Sequence, residues 1–523
     1  MPEPGRSLAL KPPARLIRSV ATVGSMTLVS RVAGFARDVL MAALLGAGPL
    51  ADAFFVAFKL PNFLRRLFAE GAFNAGFVPM FARRLEAEGE AVAKDFAEQA
   101  QAILLAVLVP LVLIAIPAAP WLIAVFAPGF EYGGVRYEAA VELTRITFVY
   151  ILFISLVALY AGVLNSFGRF AAAAASPVVL NLCMIGALGF SLLGFGSPAY
   201  ALAWGVAAAG LLQFLWLRLW LQRQGVALRF RRPRLSPEIK RLFALIVPGA
   251  IGASVQQISS LTDVFFASLL PAGAVSYLYF ADRLAQLPLG VIGVAVGTAL
   301  LPLLSRQLRA GDLDGALASQ NRALELALLL TVPAALALIV LSAPIIHVLF
   351  ERGAFGPEDT RATAMALAAY ALGLPAYVLI KVLAPGFFAR EDTRTPVKIA
   401  IVALAANIAL ILLLIWHLAH VGIALATALA AWLNAGLLGW RLRREGLLQP
   451  DARLKRRLPG ILAAAFAMAA GLWLGQPWLA ALPAPIALTV LIAAGGLAFL
   501  GLAQLLGGAD FAEVRRMLRR RAA

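Results

Sequence analysis

The chain has 523 residues, of which 62% are hydrophobic and only 14% charged, with a mean hydropathy of +0.87. A soluble globular protein is nearer roughly 45–50% apolar and about 25% charged, so the composition excludes a soluble enzyme, and the short loops leave no room for an extramembrane catalytic domain. The formal net charge of +18 sits in clusters between apolar runs, where it serves topology and anionic headgroups rather than nucleic acid.

The first residues, MPEPGRSLALKPPARLIRS, are basic and interrupted by proline. No small-residue cleavage site follows a short apolar core, so the segment reads as a cytoplasmic tail and not a signal peptide. Windows of about twenty apolar residues mark spanning helices. They predict spans near 20–45, 51–81, 97–127, 141–166, 173–194, 199–221, 240–269, 274–305, 322–350, 361–388, 397–416, 421–441, 458–475 and 484–506. The expected fold is an all-α polytopic membrane protein of about fourteen transmembrane helices. Basic connections, among them Arg83 and Arg84, the 218–241 run, Arg306 with Arg309, and 441–457, alternate with short, nearly uncharged or mixed ones. By the positive-inside rule the basic set is cytoplasmic, and both termini fall on that side.

An internal repeat is visible. VPMFARRLEAEGEAVAKDFAEQA from Val78 resembles LPLLSRQLRAGDLDGALASQNRA from Leu301, and FFVAFKLP from Phe54 resembles LYFADRLA from Leu278. The offset is about 223 residues, or six spans. An even number keeps both copies in one orientation, which predicts two six-helix lobes related by a pseudo-two-fold axis along the membrane normal. The predicted division is 1–225, 226–450, and an appended pair of spans with a basic tail in 451–523.

Charge inside the spans is the functional signal. The first two spans carry Arg31, Arg37, Asp38, Asp52, Lys59, Arg65, Arg66 and Glu70. An ionised group costs about 2.5–3.5 kcal/mol at a helix centre, so these cannot all face lipid. Asp52, Lys59 and Arg66 recur every seven residues and fall on one stripe. Glu70 follows Arg66 at ion-pair spacing, and Pro61 permits a kink. In the second half Asp282, Arg283 and Gln286 occupy the equivalent helix. Arginine forks suit phosphate and carboxylate, so Arg31, Arg37 and Arg283 predict a cationic cavity for an anion, most naturally a phosphate or pyrophosphate. The competing readings are that Arg65 and Arg66 snorkel to an interface and that Asp38 and Glu70 are structural ion-pair partners.

Asp263 lies well inside the seventh span. It is either a proton or sodium site or a carboxylate hydrogen-bonded to nearby hydroxyls. Lys381, inside the tenth span, is either a cavity charge or the partner of an acid elsewhere. The lone Cys183 cannot form an internal disulfide. His417 and His420 have no carboxylate or thiol near them in the sequence, so no metal site is expected. The chain holds no phosphate loop ending in Lys-Ser/Thr, no HExxH, no GxSxG and no Asp-rich metal loop, and it is not expected to be an enzyme or to carry a cofactor.

SRVAGFARD, DAFFVAFKLPNFLRRLFAEGAF, ADRLAQLPLGVIGVAVGTALLP and KVLAPGFFAREDTRTPVKIA closely resemble the bacterial lipid II flippase family MurJ (also MviN), over nearly the whole chain. The resemblance implies the multidrug/oligosaccharidyl-lipid/polysaccharide exporter superfamily. It also implies two six-helix lobes in a V, and two extra helices forming a groove for the lipid tail. It implies that undecaprenyl-pyrophosphate-linked peptidoglycan precursor moves from the cytoplasmic to the periplasmic leaflet by alternating access. Family arginines fall on Arg31, Arg37 and Arg283, and their cavity partners on Asp52, Lys59, Arg65 and Arg66. Where the family often has an acid one turn after the second-lobe arginine, this chain has Gln286. A sodium site of some members uses an acid on the seventh helix, which Asp263 would supply, and further ligands on the eleventh, where this chain offers Asn407 but no carboxylate near it. Sodium or proton coupling, or drive by the membrane potential, is therefore expected. So are lipid II, membrane lipids and cell-wall synthesis proteins as partners, a monomeric state, and the bacterial inner membrane as location. The alternative within transporters is export of another polyprenyl-linked glycan or a drug.

Overall fold

The computed structural model describes residues 13–65, 72–194 and 196–510. Its helices are α1 (Pro13–Leu45), α2 (Pro49–Arg65), α3 (Ala72–Ala87), α4 (Glu90–Ala115), α5 (Ala119–Phe126), α6 (Val135–Phe148), α7 (Tyr150–Ser166), α8 (Phe170–Leu192) and α9 (Pro198–Arg223). They continue as α10 (Pro237–Ser268), α11 (Ala274–Pro288), α12 (Val294–Arg309), α13 (Leu313–Val340), α14 (Ser342–Phe350), α15 (Pro357–Phe388), α16 (Arg394–Arg444), α17 (Ala452–Gly475) and α18 (Ala484–Leu505). A π turn over Leu289–Gly293 joins α11 to α12. Among the described residues there is no strand.

Nine helical stretches among the described residues are long and apolar enough to cross a membrane. One of them, α16, contains a non-helical residue at Ala419 (φ 47°, ψ −130°) and so holds two of the expected spans. The nine thus account for ten of the fourteen. The other four are built as α1, α2 followed by α3, α10, and α11 followed by α12. Trp121, Trp416 and Trp478 are 80%, 81% and 86% exposed, as suits amphipathic rings at a membrane–water interface.

The chain gathers into two compact units. The first holds the chain to Leu45, Ala53–Phe126 and Glu131–Gln257; the second holds Gly46–Asp52, Ala127–Phe130 and the chain from Ile258. This division follows packing, whereas 225 and 450 follow the repeat, and it cuts α10 after Gln257. In the first unit α7 and α8 pack on α9, and α1 packs on α8. Phe73, Phe77 and Phe81, four apart on one face of α3, stack at 5.3 and 5.6 Å, and Phe96 of α4 stacks on Phe77 at 5.5 Å. In the second unit α15 is central, packed by α11, α13 and α16. A Cβ on Gly373 would stand 2.9 Å from Ala428 Cα, so the missing side chain lets α15 and α16 approach closely, a common device between membrane helices.

One contact recurs in both units at the repeat offset. In the first, buried Glu98 of α4 accepts a hydrogen bond from Arg229 N (3.0 Å) and an ion pair from Arg231 Nε (2.5 Å), while Arg231 also pairs with Asp95. These tie down the segment that leaves α9. In the second, Asn321 of α13, which is 223 residues after Glu98, donates to Gln449 O (2.8 Å), and Arg322 pairs with Asp451. These tie down the segment that leaves α16. Buried Glu325 then gathers Arg322, Arg453 and Arg457, fixing the start of α17 to α13.

Glu325→Ala is expected to lower the unfolding temperature of the purified protein. The loss should be about 1–3 kcal/mol, discounted because Arg322 and Arg453 are 34% and 37% exposed. A thermal melt in detergent checks it, and an unchanged melt would show that the cluster does not hold α17. At the start of α16, Asp392 accepts from the N–H groups of Arg394 and Thr395, each at 3.0 Å. Its carboxyl lies below the ordinary 3.8, chiefly through the Thr395 hydroxyl, then these N–H groups and nearby Arg390. A depressed carboxyl contributes stability above its unfolded value and loses it as pH falls through the folded value. Asp392→Ala should therefore destabilise the protein at neutral pH, and the gap to wild type should close as the pH is taken below 3.8.

Candidate functional site

The intramembrane charges divide between the two units. In the first, α1 presents Arg31 on an exposed position and buries Arg37 and Asp38. The Arg37 guanidinium donates to Asp38 Oδ1 from Nη2 (2.7 Å) and Nε (3.1 Å), and from Nη1 to Asn181 Oδ1 (2.9 Å). Asn181, on α8, donates in turn to Ser30 O of α1 (3.0 Å). One amide thus fixes both the arginine and the backbone that precedes it. Asp38 is the structural partner that the sequence allowed, and it neutralises Arg37.

Lys59 and Arg65 are half-buried on α2. Arg65 Nε donates to Asn62 Oδ1 (3.2 Å), and Asn62 donates to Phe58 O (2.8 Å). Arg66 and Glu70, the rest of the expected stripe, lie outside the described residues.

Asp52 stands apart from that stripe. Its carboxylate is fully buried in the second unit. It accepts from Gly273 N (2.8 Å), Ser276 N (2.9 Å) and Ser276 Oγ (2.6 Å). These are donors of the α11 N-terminus, where backbone N–H groups lack helical partners and the helix dipole favours an anion. Asp52, expected as a wall of the substrate path, caps α11. The approach is close: Gly273 adopts φ 100°, and a Cβ there would stand 3.0 Å from Ala47 O. The short 127–130 segment behaves alike. A Cβ on Gly129 would fall 2.2 Å from Ser268 O, and Gly129 N donates to Ser268 Oγ (3.1 Å). Beside this cap Tyr277 donates to Asp359 (3.0 Å) and packs against the His420 ring at 5.2 Å.

Further along α11 the Arg283 guanidinium lies over the Tyr279 ring at 4.9 Å. That contact orients the planar cation through its face. Gln286 is exposed and donates to Asp282, so the amide at this position makes the tie that a carboxylate could not. On α10, Asp263 Oδ1 accepts from Thr427 Oγ1 (3.3 Å), and Thr427 also reaches Asn407 Oδ1 (3.4 Å). Asp263 and Asn407 therefore share one hydroxyl of α16. Ile411, one turn after Asn407, is fully buried, and no cluster of three His, Cys, Asp or Glu occurs among the described residues. The trio offers oxygens alone, a donor set for a hard monovalent cation or a proton rather than a transition metal.

Sequence reasoning missed Asn181, Thr427 and Ser276. A polar residue within an apolar run was the available signal, but it is shared by many span residues that only satisfy their own helix, such as Thr331, which donates to Ala327 O.

A family model described as lipid II flippase MurJ matches residues 41–484. A protein of Rhizobium meliloti (strain 1021) with the name "Probable lipid II flippase MurJ" is 46% identical over 518 residues, covering 97% of this chain and 96% of its own length. A protein of Rhizobium tropici with the same name is 44% identical over 520 residues, covering 97% of each. A solved structure described as "Lipid II flippase MurJ, inward closed conformation" superposes with a TM-score of 0.79 at 26% identity, covering 92% of this chain and 98% of that one.

The cap makes a direct prediction. Asp52→Ala removes the acceptor of three hydrogen bonds and should destabilise the protein by about 1–3 kcal/mol. Asp52→Asn keeps one oxygen and should lose less. Thermal melts of the two variants check the order, and equal melts for both and wild type would contradict the cap.

Proposed function

The chain belongs to the MurJ family of lipid II flippases, and we propose that its intramembrane cations carry the pyrophosphate of lipid II from the cytoplasmic to the periplasmic leaflet. It is a multi-pass inner-membrane transporter and not an enzyme. The observation that carries the reading is the set of cationic side chains inside apolar spans, with Arg37 and Arg283 each oriented by fixed partners. A guanidinium offers a planar fork of donors to phosphate oxygens, and its value rises where water is scarce. Arg31, Arg37, Lys59, Arg65, Arg66 and Arg283 bind the headgroup. Gln286 positions Asp282 beside Arg283. The undecaprenyl chain stays in lipid along α17 and α18. Access alternates between the two faces of the membrane.

The trio of Asp263, Thr427 and Asn407 is the place for a coupling sodium ion or proton, and it supports either one. The membrane potential is a further driver, because each charge moved through the field is worth about 2.3 kcal/mol per 100 mV. Both termini are cytoplasmic, from the basic connections, the protein works as a monomer, and its further partners are cell-wall synthesis proteins.

Arg31→Ala, Arg37→Ala and Arg283→Ala are each expected to abolish growth of a flippase-depleted strain while the variant still reaches the membrane. Arg37→Lys should fail as well, since an ammonium cannot reproduce the fork held between Asp38 and Asn181. Full complementation by all of these variants would overturn the reading.

A further inference from the structure

Two successive carbonyls in the middle of α2 are taken up by side chains. Pro61 lies inside α2 and has no N–H. The carbonyl four residues before it, Ala57 O, therefore loses its helical donor, and the proline ring crowds it as well. Ala57 is fully buried, where an unpaired carbonyl is costly. Thr147 of α6, also fully buried, donates to Ala57 O from Oγ1 at 3.1 Å. A hydroxyl has one proton to give, and a threonine in a helix ordinarily gives it to a carbonyl of its own preceding turn. Here that carbonyl, Thr144 O, stands farther off at 3.4 Å.

The next carbonyl along α2 is treated alike. Phe58 O accepts from Asn62 Nδ2 (2.8 Å), and Asn62 Oδ1 accepts from Arg65 Nε (3.2 Å). The break at Pro61 thus carries one polar plug from α6 and one from α2 itself, and the second leads directly to a cation. Lys59 stands two residues before Pro61 and Arg65 four after it. The bend that a proline imposes sets where one cation stands relative to the other, and a single hydroxyl ties that bend to α6. Membrane helices tolerate proline where a neighbouring helix or a Ser/Thr hydroxyl takes the freed carbonyl; Thr147 meets both descriptions.

We propose that Thr147 is a positioning residue for transport: by taking up the carbonyl that Pro61 frees, it holds the bend of α2 that presents Lys59 and Arg65 to the headgroup. It acts through the backbone of α2, on which its hydroxyl proton is spent. The assignment rests on the reading that the α2 cations hold a pyrophosphate, and adds what sets their placement.

The test uses the full chain purified in detergent, with binding read by native mass spectrometry. Two probes share one tail: undecaprenyl pyrophosphate, and the uncharged undecaprenol. Thr147→Val keeps the volume and removes the hydroxyl. It should bind the pyrophosphate probe about tenfold more weakly and bind undecaprenol as wild type does, while Thr147→Ser restores the charged probe. Wild-type binding of undecaprenyl pyrophosphate by T147V would overturn the proposal. An equal loss for both probes would overturn it too, since a general loosening of the fold does not discriminate by charge. So would an equal loss in T147S and T147V, since the hydroxyl would then not be the property that matters. Should T147V melt below wild type, Pro61→Ala is added to it. That change returns an N–H to the helix for Ala57 O, so a recovered melt supports the assignment and an unrecovered one overturns it. Lys59→Met and Arg65→Ala separate the two levels. If both bind undecaprenyl pyrophosphate normally, the reading of the α2 cations itself fails; if either loses binding and T147V does not, only the role of Thr147 fails.

Discussion

An ionised side chain in the hydrocarbon layer is costly unless protein, water or ligand takes up its charge, and the interior of this chain is arranged around that constraint. Arg37 is held by Asp38 and by Asn181 from another helix. Asp52 is held by the open end of α11. Arg283 lies on an aromatic face, and Asp263 meets the hydroxyl of Thr427. Each solution also fixes a geometry. A transporter needs charges that can meet a charged headgroup, and it needs them to be stable between visits. Neutral groups such as Asn181, Tyr279 and Thr427 serve the second need by orienting charged side chains between visits.

The ends of the spans use charge differently. Glu98 and Asn321, one repeat apart, each tie the segment that follows the sixth helix of its half back to the third. The chemistry is not copied: a carboxylate meets a backbone N–H and an arginine in one case, and an amide meets a backbone carbonyl in the other. What recurs is the place in the fold, which is what an ancient duplication preserves after side chains diverge. In the second half the tie is extended by Glu325 and three arginines, where the chain must also seat α17, an element the first half lacks.

The number and order of spans are legible in the sequence because hydrophobicity is a local property. Even the break inside α16, expected between 416 and 421, falls at Ala419. The polar stretches are legible for the same reason. Their pairing is not. The seven-residue spacing of Asp52 and Lys59 puts them on one stripe, yet the chain passes from one compact unit to the other between Asp52 and Ala53, and no periodicity reports that change. Asn181 lies 144 residues from Arg37, and Asp52 lies 221 from Gly273. Thr427 is one threonine in an alanine-rich run. Arg66 and Glu70 lie outside the described residues, so their expected pairing stays a reading of spacing alone.

The central claim is that this chain carries lipid II across the inner membrane, and leaflet accessibility measures it most directly. In cells depleted of their own flippase and expressing this chain, lipid II can be challenged from outside with a hydrolase that cleaves it and cannot cross the membrane. The account predicts that lipid II becomes accessible to the hydrolase when the chain is present and stays protected when it is absent. Protection in both cases, with the protein folded in the membrane, would contradict it.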